Sequence, residues 1–160
     1  MVAGPRNPFH DWPIQIETPT FYAWYAEPGV FISQITVDHA TGKDADTLTR
    51  LIDQVLLAKE AELTPLGGLL AIHDWRALRT YEPEARAIFM QRVRTHKPGK
   101  FREAAVAINV NPLLRMAIGA ANTFLVLATG RNVHAVSAVA PLLIKHGVKK
   151  PNEGVRFPGR

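Results

Sequence analysis

The sequence predicts an α/β domain built on a mixed, mostly parallel sheet. Three observations predict it. An aromatic hairpin lies near the start, with Phe21-Tyr22-Ala23-Trp24-Tyr25 and Val30-Phe31-Ile32 on either side of a Pro28-Gly29 turn. Two short apolar runs follow, Gly68-Leu69-Leu70-Ala71-Ile72 and Ala104-Ala105-Val106-Ala107-Ile108, as strands buried on both faces require. Segments with helical spacing separate them, and strands that alternate with helices pair in parallel through crossovers.

A chain of 160 residues is about one domain, and 47% hydrophobic residues supply a core rather than disorder. Residues 1–13 carry Pro5 and Pro8, show no periodicity and read as an irregular arm. They hold no apolar run of the kind a signal peptide has. Ile14-Gln15-Ile16 alternates, and the hairpin then runs to Val37. Leu48, Leu51, Ile52, Val55 and Leu56 form a single helical stripe, with Asp44 or Asp46 available to cap it. That helix should end near Leu63, before Pro65 and Gly67-Gly68. The strand after it stops at His73-Asp74-Trp75, and residues 76–82 read as a loop. Pro83 suits a first helical position, and Ala85, Ile88, Phe89 and Val93 form the next stripe, stopped by Pro98-Gly99.

The strand beginning at Ala104 leads to Asn111-Pro112, a cap followed by a first-turn proline. The predicted helix 113–128 places Leu114, Ala117, Ile118, Ala121 and Leu125 on one side, with Gly130 at its end. Residues 131–136 read as a strand. Ser137 is positioned to cap a last helix containing Leu142, Leu143 and Ile144, ended by Gly147. The domain should therefore span 14–148, and 149–160 form a basic tail.

Several function classes find no support. Without cysteine there is no disulfide, thiolate nucleophile or cysteine metal site. The longest charge-free stretch, 116–130, has 15 residues, short of the roughly 20 a membrane span needs. A cytoplasmic protein is the expectation. Gly67-Gly68 precedes a strand, whereas a phosphate loop follows one. None of the six histidines has another at helical spacing, and His73 and Asp74 as strand neighbours point to opposite faces. No metal, cofactor or catalytic residue is assigned, and no enzyme activity is expected.

The charge is uneven. Residues 1–91 hold 7 Lys/Arg against 12 Asp/Glu, while residues 92–160 hold 12 against 2. Arg92, Arg94, Lys97, Lys100 and Arg102 form one basic cluster, and the tail forms another. An adaptor for an acidic protein or anionic lipid would use such a patch; so would a nucleic-acid binder, but only Phe101 and Phe157 are there to stack on bases. The plainer reading is a solvated helix end.

One region stands out as a recognition surface: His73, Asp74, Trp75, Arg76, Arg79, Tyr81 and Arg86. It lies at the carboxyl end of a central strand and runs into a helix start, where open α/β sheets bind their ligands. Asp74 could accept hydrogen bonds there, Trp75 could supply apolar area, and Arg76 or Arg79 could hold an anion. Alternatively Asp74 caps the turn, Trp75 packs over the sheet and Tyr81 staples the helix entry. In the hairpin, Tyr22 and Trp24 would be exposed unless covered, which suggests a homodimer contact.

The order of elements, with residues 68–75 as central strand and 83–96 as the next helix, resembles the STAS domain. This is the fold of anti-sigma-factor antagonists and related SpoIIAA-like proteins. Leu70-Ala71-Ile72-His73-Asp74-Trp75, then Tyr81 and Ala85-Arg86, resemble its strand-to-helix junction, and residues 102–108 its next strand. The resemblance implies a STAS-like mixed sheet with an N-terminal hairpin and about four helices. It also implies a non-catalytic regulatory or docking module whose partner is a protein, such as a regulatory kinase or another signalling protein; the alternative is a small-ligand binding protein on the same fold. Classical STAS antagonists carry a phosphorylatable Ser or Thr just after the aspartate, at the helix start. Here Trp75 and Arg76 follow Asp74, and Thr80 is the nearest candidate.

Overall fold

A computed structural model describes residues 7–95, 97, 99–109 and 133–160, together with positions 112, 115, 116 and 119. Its main sheet has six strands in the order β1-β2-β3-β5-β7-β8. These are β1 (Ile16–Glu17), β2 (Phe21–Ala26), β3 (Val30–Ile35), β5 (Leu69–Trp75), β7 (Phe101–Ile108) and β8 (Val133–Val136). β1, β2 and β3 pair antiparallel, and β3, β5, β7 and β8 run parallel. The hairpin and the parallel core are thus as the residue patterns require. The predicted helix 113–128 and its Asn111 and Gly130 boundaries lie outside the described residues.

The first helix, α1 (Gly42–Ala58), starts earlier than expected, because Thr41 and neither aspartate is its N-cap. Thr41 Oγ1 accepts from the Asp44 amide while the Asp44 carboxylate accepts from the Thr41 amide, a reciprocal capping box. The helix is interrupted at Lys59, and the chain continues as α2 (Glu60–Leu63) and a 3-10 turn (Thr64–Leu66). α3 (Pro83–Thr95) begins at the predicted proline. The last helix, α4 (Ala140–Lys145), begins at Ala140 with Val139 as N-cap, so Ser137 does not cap it.

Strand alternation divides the core into two layers. Odd-numbered residues of β3 and β5, such as Phe31 and Leu69, meet α1 through Leu48, Leu51, Ile52 and Val55. Even-numbered ones, Val30, Ile32, Leu70 and Ile72, meet α4 and the N-terminal segment through Leu142 and Phe9. Residues 7–13 form no strand or helix, yet Phe9 is 3% exposed. Its ring stacks on Trp24 at 4.9 Å, Trp12 meets both rings edge-on, and Trp24 Nε1 donates to the Pro13 carbonyl at 2.8 Å. The strap therefore covers Trp24, which is 3% exposed, while Tyr22, the other residue expected at a dimer contact, stays half-exposed.

The tail also packs. Lys150 reaches Asp11 at 3.0 Å on the strap side. Further along, Phe157 is buried against Phe31, and Gln54 of α1 donates to the Pro158 carbonyl. No helix among the described residues is long and apolar enough to cross a membrane.

Candidate functional site

The carboxyl end of β5 is where the predicted recognition residues converge, and the structure sorts them by face. His73 and Asp74 are 7% and 3% exposed, so neither is part of an open surface. β5 is central, with β3 on one side and β7 on the other, and both its faces are covered.

His73 points into the helix-side layer. Its Nδ1 lies 2.6 Å from Ser33 Oγ, its ring lies 5.1 Å from that of Trp75, and Trp75 continues the contact to Phe89 on α3 at 5.2 Å. Burial pushes the imidazole pKa down to about 4, so the ring is neutral at pH 7. Trp75 is half-buried, and its Nε1 is enclosed with no hydrogen-bond partner among the described residues.

Asp74 points the other way. Its Oδ1 and Oδ2 accept from Arg76 Nε at 2.8 Å and Nη2 at 2.9 Å, a bidentate pair. Gln34 Nε2 donates to Oδ2 at 3.2 Å, and the same nitrogen donates to Asn7 Oδ1 of the strap at 2.8 Å. Hydrogen bonding to the carboxylate raises the Arg76 pKa, outweighing burial. Both residues were expected to face a partner, but each is spent on the other inside the fold.

The outward residues come next. The predicted loop 76–82 contains a strand, β6 (Thr80–Tyr81), which pairs parallel with β4 (His39–Ala40) in a separate two-stranded sheet. The amides of Arg79 and Thr80 both donate to the Asp38 carbonyl, at 2.8 and 3.0 Å, and the Glu82 amide donates to that of Ala40 at 2.9 Å. Glu82 in turn accepts from the Gly42 amide at 2.8 Å, tying this ribbon to the start of α1. Thr80 is exposed, with its hydroxyl 2.7 Å from His39 Nδ1; Arg79 is exposed before it, Tyr81 is half-buried, and Arg86 is exposed in the first turn of α3. Sequence reasoning missed His39, whose link to Thr80 spans 41 positions.

The basic cluster is not a single free patch. Arg92 pairs with Asp53, and Lys100 with Glu60 at 3.1 Å. Arg102 donates to the carbonyls of Gly68 at 2.6 Å, Pro28 at 2.7 Å and Gly29 at 3.3 Å. It clamps two turns together at the amino end of the sheet. Arg94 and Lys97 are exposed. Losing charged hydrogen bonds of this kind costs about 2 kcal/mol. Arg102→Ala should lower the denaturant midpoint accordingly, whereas Lys97→Ala should leave it within error.

The groove at that end, about 360 Å³, is lined by Leu56, Leu63, Gly68 and Lys100 among others. Turn chemistry accounts for its glycines: Gly67 takes a φ of 83° and the Gly68 amide caps the Leu63 carbonyl at 3.0 Å. Glu103 lies 3.7 Å from both His134 and His146, yet among the described residues no group of three donors is placed to hold a metal ion.

No family model and no curated protein matches the chain. Among solved structures it is similar to an uncharacterized protein of the DUF3478 family with a SpoIIAA-like fold, from Shewanella loihica PV-4. The TM-score is 0.54 at 16% identity, and the match covers 83% of this chain and 98% of that one. The SpoIIAA-like architecture expected from the order of elements is the fold of this chain.

Proposed function

We propose that the chain is a non-catalytic docking module, and that its partner protein is met by the outer edge of the β4–β6 ribbon and the start of α3. One observation carries this reading. The ribbon holds His39, Thr80 and Arg79 exposed on a backbone pinned by hydrogen bonds to Asp38 and Ala40, and the exposed Arg86 follows in the first turn of α3. A fixed polar edge loses little entropy on binding, which is what favours a preformed recognition surface. The enclosed Asp74–Arg76 pair braces the turn that leads from β5 toward β6. Thr80, with its exposed hydroxyl at this edge, is the group through which a kinase would switch docking. A phosphoryl there adds nearly two negative charges.

Affinity capture with the purified chain, followed by binding measurements on what it retains, tests the reading. Arg86→Glu and Thr80→Asp should each weaken binding about tenfold or more, the scale of about 1.4 kcal/mol that an unfavourable charge readily imposes. Arg50→Glu, on the exposed side of α1, should leave binding unchanged. Equal affinity in all three variants would move the docking surface elsewhere.

A further inference from the structure

We infer that the N-terminal strap is a built-in control on the β4–β6 edge, acting through Gln34 and the Asp74–Arg76 pair. The inference rests on the docking reading for its consequence, but its physical content is independent of any partner. A continuous chain of side-chain hydrogen bonds runs from the strap to the corner. Asn7 Oδ1 accepts from Gln34 Nε2 at 2.8 Å, Gln34 Nε2 also donates to Asp74 Oδ2 at 3.2 Å, and Asp74 holds both nitrogens of the Arg76 fork. Arg76 opens the segment that becomes β6, and the Leu78 amide returns to the Trp75 carbonyl at 3.0 Å to shape its turn.

The strap is held by side chains rather than by a strand ladder. Phe9 and Trp12 lie on Trp24, the Phe9 amide donates to Asn7 Oδ1 at 3.0 Å, and Asp11 meets Lys150. Asn7 is therefore shared: its side-chain oxygen both accepts from the Phe9 amide within the strap and receives Gln34. When the strap lifts, Gln34 loses an acceptor and is free to turn, and the Asp74 carboxylate at the end of β5 loses a neighbour that fixes its orientation. Docked, the strap keeps the edge in one geometry. A competitor for the Trp24 face would loosen the edge without touching it. Coupling of this kind travels through packed and hydrogen-bonded contacts, and it is established only by perturbing one end and reading the other.

Amide hydrogen exchange on the full chain supplies that readout. Phe9→Ala detaches the aromatic anchor. Gln34→Ala cuts the relay and leaves the anchor in place. Both should accelerate exchange at residues 76–81 by about threefold or more, a change local opening readily produces. Only Phe9→Ala should also accelerate residues 9–13. The amides of α1 should be unaffected in both. Faster exchange at 9–13 with 76–81 unchanged would overturn the coupling. So would acceleration that extends equally to α1, since that reports global loosening. Neither result bears on whether the edge binds a protein, which the affinity series decides separately.

Discussion

Arg76→Ala should destabilise the protein by about 3–4 kcal/mol, the range for breaking an enclosed ion pair by removing one partner. The Asp74 side chain is 4% exposed, so losing the bidentate fork strands a carboxylate that water barely reaches. Gln34 supplies one remaining side-chain donor and the Arg76 amide a weaker one at 3.4 Å. For a chain of this size the melting temperature should fall by roughly 8–12 °C. Asp74→Ala should cost somewhat less, because Arg76 is 17% exposed and can turn its guanidinium toward solvent. The double variant should be far better than the sum of the two, with a coupling of about 2 kcal/mol in a denaturant-melt cycle. Additive single effects would show that the pair is not the brace described above.

His73 should make the protein acid-sensitive within a defined window. Its folded pKa is lowered to about 4, while the unfolded chain binds a proton near the ordinary value of 6.5. The unfolded state therefore takes up the proton first as pH falls. Stability from this group is complete above about pH 6.5, declines through the interval, and is lost near pH 4. The total is about 3 kcal/mol, since each unit is worth about 1.4. Urea melts of the wild type and His73→Gln between pH 7 and pH 4 check it: the variant should show a markedly shallower decline. Parallel curves would mean that the imidazole titrates freely and that its contact with Ser33 opens.

The fold was legible where its causes are local. Alternation made the hairpin, the stripe from Leu48 to Leu56 made α1, and Pro83 marked the start of α3. The site was legible in location but not in orientation. That His73 lies under Ser33, and Asp74 under Gln34, depends on pairing with a strand 40 residues earlier. No pattern within β5 reveals such a partner. Phe9 and Phe157 were missed because irregular segments carry no period, and their burial is decided by what they land on. Arg102 was read as part of a charge run because sequence does not distinguish a guanidinium facing water from one facing three carbonyls. Thr41 was different: a threonine three residues before Asp44 is a capping signal that was present and passed over for the aspartates.

The two polar contacts of β5 also decide how the sheet is assembled. Val30–Ile32 and Leu69–Ile72 are apolar on both faces, so hydrophobicity alone is nearly indifferent to sliding one strand past the other. Ser33 faces His73 and Gln34 faces Asp74 at consecutive positions, one pair in each layer. A shift of a single residue would turn Asp74 toward Phe31 and Phe89 and away from Gln34. It would place a charge among hydrocarbon at a cost of several kcal/mol. The polar end of an otherwise greasy strand thus acts as an alignment key: it makes one pairing of β3 with β5 affordable and its neighbours not.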